Sequence, residues 1–195
     1  MGFLDALLGR RKPSRPDLDR LFEVPAAATT LQLNGWTPTG VGSVCFRSAE
    51  GIAFSQTQSD AQDLIEFGGR KVEQSVDSFG FTWLTVRAAA DDVDPTSSVV
   101  TDLHAVNSSL ESNGFGELLL CTLINFVSAA PGPTKTLAIV YLYKQGTFYP
   151  FAPRPGTSNQ RDNATELAIR PMLAQDLPVE PELSRWLAVW GAPGL

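Results

Sequence analysis

One histidine, two cysteines and two methionines in 195 residues remove much of the usual equipment of an active site. A single imidazole, His104, allows at most one Ser–His–Asp, Cys–His or histidine-ligated metal centre. It sits in helical sequence beside Leu103, where a structural role is expected. Cys45 and Cys121 lie in separate apolar runs, SVCF and LLLCTLINF, with no CxxC or other ligand spacing. Buried thiols in a reducing cytoplasm are the expectation, and the residues alone leave a disulfide open.

Long apolar runs are missing too, since nothing approaches the ~20 residues that cross a bilayer. The short apolar stretch at the N-terminus precedes its charges, so no secretory leader is read there. The glycine-rich GWTPTGVG has no Lys-Ser/Thr pair and opens no helix, which makes a turn the expectation and not a phosphate loop. Asp91, Asp92 and Asp94 lack EF-hand spacing and read as a polar turn with a helix cap. An N-myristoylation signal after Gly2 calls for Ser or Thr where Ala6 stands. The expectation is therefore no catalytic residue, no metal site and no cofactor.

Charge is sparse, at 18% of residues, and unevenly placed. The first twenty residues carry five Lys/Arg against three Asp/Glu, whereas the rest of the chain is net acidic, for a total of −6. An acidic body argues against nucleic acid, which requires a basic footprint to displace counterions. A basic arm on such a body suits an anionic lipid surface or an acidic partner.

That arm is the first positive feature. Phe3, Leu4, Leu7 and Leu8 fall on one helical stripe, and Arg10, Arg11, Lys12 and Arg15 follow at once. Pro13 and Pro16 end any helix. An apolar face beside positive charge is the pattern of an interfacial helix or docking peptide. Residues 1–16 thus read as an arm and Pro-rich hinge, and residues 17–195 as a single α+β domain.

Within the domain, LDRLFEVP predicts a helical turn ended by Pro25. Thr29 to Ser48 reads as strand–turn–strand, with WTPTGVG the turn. SQTQSDAQDLIEFGG predicts a helix with Ala61, Leu64 and Ile65 inward, and KVEQSVDSFGFTWLTVRA a strand or a hairpin broken at Asp77–Gly80. The helix after Asp94–Pro95 is the clearest, with Val99, Leu103, Val106 and Leu110 on one face and Asn113–Gly114 as its stop. ELLLCTLINFV and KTLAIVYLYKQGTFYPFAP predict central strands with a turn at Gln145–Gly146. Asn163 reads as the cap of a helix disturbed at Pro171. Leu183, Trp186, Leu187 and Trp190 are spaced for a closing amphipathic helix. This order predicts an α+β fold whose antiparallel sheet carries helices mainly on one face.

Two constellations compete for function. Tyr141, Tyr143, Phe148, Tyr149 and Phe151, with Lys144, Arg154 and Arg161 nearby, are either a sheet core with one solvent face or an aromatic docking surface. Alternatively, the polar Arg154–Glu166 loop, with Arg161, Asp162 and Glu166 close together, is a small-molecule or enzymatic site. A third reading is a homodimer formed through the sheet edge.

The stretches MGFLDALLGRRKPSRPDLDRLFEVPAAATTLQ, GFTWLTVRA, VYLYKQGTFYPFAP with QRDN and Glu166, and ELSRWLAVWGAPGL resemble the PspA-associated protein PspAB family of actinobacterial type. The resemblance runs over nearly the whole chain and carries no catalytic motif. It implies association with PspA, or a PspA complex, in the phage-shock response that guards the cytoplasmic membrane. The element order is also similar to the YbjN-like and type III secretion chaperone-like fold, whose members are small non-enzymatic protein binders. Together these imply a non-enzymatic, cytoplasmic partner-binding protein, peripheral to the inner face of the membrane. The resemblance carries over no functional residues; the aromatic run nominates Tyr141, Tyr143, Phe148, Tyr149, Phe151, Arg154 and Arg161 as the partner side, and the basic stretch nominates Phe3, Leu4, Leu7, Leu8, Arg10, Arg11 and Lys12 as a membrane or partner arm.

Overall fold

Alternating side chains along six β-rich segments build one antiparallel sheet, seen in a computed structural model that describes residues 16–67, 71–157 and 159–195. The strands are β1 Trp36–Arg47, β2 Val72–Val76, β3 Phe81–Arg87, β4 Leu119–Ser128, β5 Thr136–Leu142 and β6 Thr147–Phe151, in the spatial order β2-β3-β1-β4-β5-β6. Among the described residues four α-helices accompany them: α1 Val24–Leu33, α2 Ile52–Phe67, α3 Pro95–Ser112 and α4 Asn163–Leu173. The fold is α+β.

Period-two alternation divides the core between two faces. Val44, Phe46, Leu84, Val86, Ile124, Phe126, Ile139 and Tyr141 point to the helices. Cys45, Trp83, Cys121, Leu123, Val140, Tyr149 and Phe151 point the other way and are also buried. Both faces are covered, so β4 and β5 read as continuous apolar runs without a polar side. Against the helix face lies α3, whose Val99, Leu103 and Val106 are fully buried and whose Asp94 cap accepts from Ser97 N at 3.2 Å.

Three expectations change. Pro25 does not end a helix; it occupies the first turn of α1, where the missing N–H costs nothing. TTLQL is not a strand, because Val24, Ala27, Ala28 and Leu31 share a buried helical stripe that runs through it. WTPTGVG is not a turn. It is the first half of β1, which keeps its pairing with β4 across a register shift between Pro38 and Gly42. Gly40, at φ 68°, absorbs that bulge. Gly42 lets α3 approach: a Cβ there would stand 2.7 Å from Leu103 Cδ1 and Val99 Cγ1.

The closing segment departs furthest. Only Leu183–Arg185 forms a short 3₁₀ turn, and the chain then runs as an irregular strap across the second face of the sheet. Trp186 is buried, while Leu183 and Leu187 are exposed. A helix would satisfy its own carbonyls. Here side chains of the body satisfy them instead: Arg161 Nη1 donates to Trp186 O, Tyr149 Oη to Leu187 O at 2.9 Å, and Asn125 Nδ2 to Pro193 O at 2.8 Å. Trp186 Nε1 donates to Glu180 O at 3.0 Å, and its ring stacks on Tyr149 at 5.9 Å. Docking on an otherwise bare apolar face outweighed local helical spacing.

Candidate functional site

The strap does not seal the face it crosses. Between it and strands β1, β3, β4, β5 and β6 lies an apolar cleft of about 250 Å³. Its floor is Cys45, Trp83, Cys121 and Tyr149, and one wall is Leu187–Trp190. Phe79, from the β2–β3 turn, and Leu187 stand at the rim, 68% and 62% exposed. The exposed Arg47 is also part of the lining and makes no ion pair with another described residue.

Asp77 shapes the rim. Its carboxylate accepts from Phe79 N at 2.9 Å, Phe81 N at 3.0 Å and the Trp83 indole at 2.9 Å. Burial opposes its charge, but the hydrogen bonds from Trp83 and the turn N–H groups outweigh it and hold the carboxyl below its ordinary 3.8. One aspartate therefore fixes both the turn that presents Phe79 and the ring orientation of Trp83.

A second constellation holds the strap down. Arg161 Nε reaches both oxygens of Glu166, at 2.9 and 3.1 Å, and its guanidinium lies 5.1 Å from the Phe151 ring centroid. Glu166 Oε1 also accepts from Ala152 N at 2.9 Å. Its residue is 2% exposed, on the first turn of α4. Of the Arg154–Glu166 loop, Arg161, Asn163 and Glu166 border a cleft of about 280 Å³ with Leu167, Leu183 and Trp186. Arg161 Nε and Nη1 and the Glu166 carboxylate are nonetheless turned on each other and on backbone, as a latch, while Arg161 Nη2 is buried without a hydrogen-bond partner among the described residues.

The sequence-predicted aromatic residues are brought together as core. Tyr141, Phe148 and Phe151 are fully buried, and Tyr143 and Tyr149 are nearly so, which corrects the expectation of an exposed aromatic surface. Tyr141 and Phe148 pack on the helix face, whereas Tyr149 and Phe151 lie under the strap. Burial pushes the Tyr141 phenol up to about 12, and its Oη donates to Asp17 O at 2.8 Å. Arg154 is exposed at the head of its loop, where its N–H donates to Gln160 O at 2.7 Å. His104 plays a structural part, with Nε2 3.1 Å from Asp19 Oδ1 and its ring 4.6 Å from Phe22. Phe3, Leu4, Leu7, Leu8, Arg10, Arg11 and Lys12 lie outside the described residues. The cleft itself was missed in sequence. Its signal was Cys45, Trp83 and Cys121 at inward strand positions, but only the register shows that these meet.

Among the described residues no group of three His, Cys, Asp or Glu is placed to hold a metal ion. No described helix is long and apolar enough to cross a membrane. No curated protein and no solved structure matches the chain. A family model does match, over residues 1–194, and the chain belongs to the family it describes, PspAB, the PspA associated protein B.

Proposed function

We propose that this protein is a non-enzymatic accessory that binds PspA in the phage-shock response to membrane stress, and that it docks PspA at the cleft beneath the strap. The observation that carries this reading is the pairing of a cleft of about 250 Å³ with two large apolar side chains, Phe79 and Leu187, left in solvent at its rim. Exposed apolar groups around a concavity are the ordinary form of a site for an anchor side chain from a partner helix. The family name, PspA associated protein B, suggests PspA as the partner. In this reading the body grips PspA, and the basic residues of the arm add a weak attraction to the anionic inner face of the cell membrane. The protein acts in the cytoplasm.

The test is binding of purified PspA to four proteins: the full chain, Phe79→Asp, Leu187→Asp, and a chain lacking residues 1–15. Each charge placed at the rim should weaken binding at least about tenfold, the equivalent of ~1.4 kcal/mol. The truncated chain should bind PspA as the full chain does and lose its co-sedimentation with phosphatidylglycerol vesicles. Equal binding by both aspartate variants would remove the cleft from the account. Loss on truncation alone would transfer docking to the arm. No binding by the full chain would leave PspA association without a direct contact.

A further inference from the structure

The floor of the cleft holds the only two cysteines of the chain, and they are not merely near each other. Cys45 of β1 and Cys121 of β4 are direct partners in the antiparallel register. Facing Cα atoms in such a ladder stand about 4.5–5.5 Å apart, inside the roughly 4.4–6.8 Å that a disulfide spans. Strand parity turns both side chains to the strap face, alongside Trp83 and Tyr149. The register slips immediately beyond this pair, between Cys45 and Phe46. A bulge at that point adds local twist, which helps two opposed cysteines meet the near-perpendicular torsion of an S–S bond. Both thiols are free, and both line a cleft open to solvent.

We propose that Cys45 and Cys121 are a redox-modification site, converted to a cross-strand disulfide by exchange with a low-molecular-weight disulfide that enters the cleft. Cys121 reacts first, being 8% exposed against 3% for Cys45. Its thiolate attacks one sulfur of the reagent R–S–S–R, whose S–S bond breaks and releases one RSH after protonation. Capping Cys121 removes the hydrogen bond that held the Cys45 proton, and Cys45 then attacks the Cys121 sulfur as its proton passes to the departing RS⁻. A second RSH leaves, and the Cys45–Cys121 bond closes. Two protein thiols are oxidised, and one reagent disulfide is reduced to two thiols. Hydrogen bonding with Cys121, and then burial, push the Cys45 thiol far up, consistent with its role as the second sulfur. The closed bond ties the two central strands together and changes the floor of the cleft. This inference does not depend on which partner the cleft docks.

The experiment treats the folded, reduced full chain with excess hydroxyethyl disulfide. An acid quench, denaturation, alkylation with iodoacetamide and measurement of intact mass follow. The wild-type chain should come out two hydrogens lighter, take up no alkyl group and run as a monomer on a non-reducing gel. Cys45→Ser should stop one step earlier, carrying a single hydroxyethylthio group on Cys121. Two alkyl groups on the treated wild-type chain would overturn the proposal. So would a hydroxyethylthio adduct that persists on it, or a disulfide-linked dimer. If Cys45→Ser loses its native circular dichroism, the wild-type masses decide alone.

Discussion

Glu166 shows what a buried charge does in this protein. Its carboxylate is almost wholly removed from water, yet each oxygen meets Arg161, and one also takes the Ala152 N–H. Removing one partner of such a pair leaves the other charge desolvated and uncompensated, a far larger loss than the net worth of the pair. Glu166→Ala should therefore cost about 3 kcal/mol in urea denaturation. Arg161 also holds the backbone of Trp186, so the same variant should red-shift tryptophan fluorescence before global unfolding begins. An unshifted spectrum would mean that the strap keeps its place without the latch.

At the level of elements, β1 and α3 meet through an absence. The helix packs onto the strand where Gly42 offers no side chain, and a methyl group there would sit 2.7 Å from two buried carbons and 3.0 Å from Leu123 O. Gly42→Ala should lower stability by about 2 kcal/mol, measured by thermal or urea unfolding, because a packed core accepts an added methyl only by shifting. α3 itself was legible in the sequence: Asp94, Pro95 and the four-residue apolar stripe are local signals, and they act within one helix. The β2–β3 hairpin was legible only as the alternative to a single strand, through Asp77 and Gly80. The misreadings occurred where the deciding partner is distant in sequence. WTPTGVG carries turn residues, but pairing with β4 keeps it extended. Leu183–Trp190 carries a helical stripe, but Arg161 and Tyr149 claim its carbonyls. Tyr149 and Phe151 alternate as surface aromatics would, and only the strap explains why they are dry. The cleft was illegible because it requires the register of β1 on β4, which no single segment contains.

Across the whole molecule, the acid limit of stability should bear the mark of Asp162. It caps α4, accepts from Thr165 Oγ1 at 2.7 Å and meets Lys135 Nζ, at the entry to β5, at 3.0 Å. The Thr165 hydroxyl, then the Thr165 N–H and Lys135, outweigh burial and lower its carboxyl from 3.8 to about 2. A carboxyl that binds protons less readily when folded adds stability in full above its unfolded pKa, and loses it as pH falls through its folded one. Unfolding free energy should thus decline between about pH 4 and pH 2. Asp162→Asn retains a capping oxygen and should flatten that decline, as a pH series of urea midpoints would show. An identical acid limb in the variant would assign the proton uptake elsewhere. The strap gives the molecule a different asymmetry, in time. All six strands precede it in the chain, so during synthesis the sheet is free to form while Trp83, Leu123, Val140, Tyr149 and Phe151 still lack their cover. At roughly 5–20 residues per second, the nascent protein spends several seconds between the end of β6 and the strap with one face of its sheet uncovered and adhesive. That interval is when a chaperone, or a second unfinished copy, would meet it.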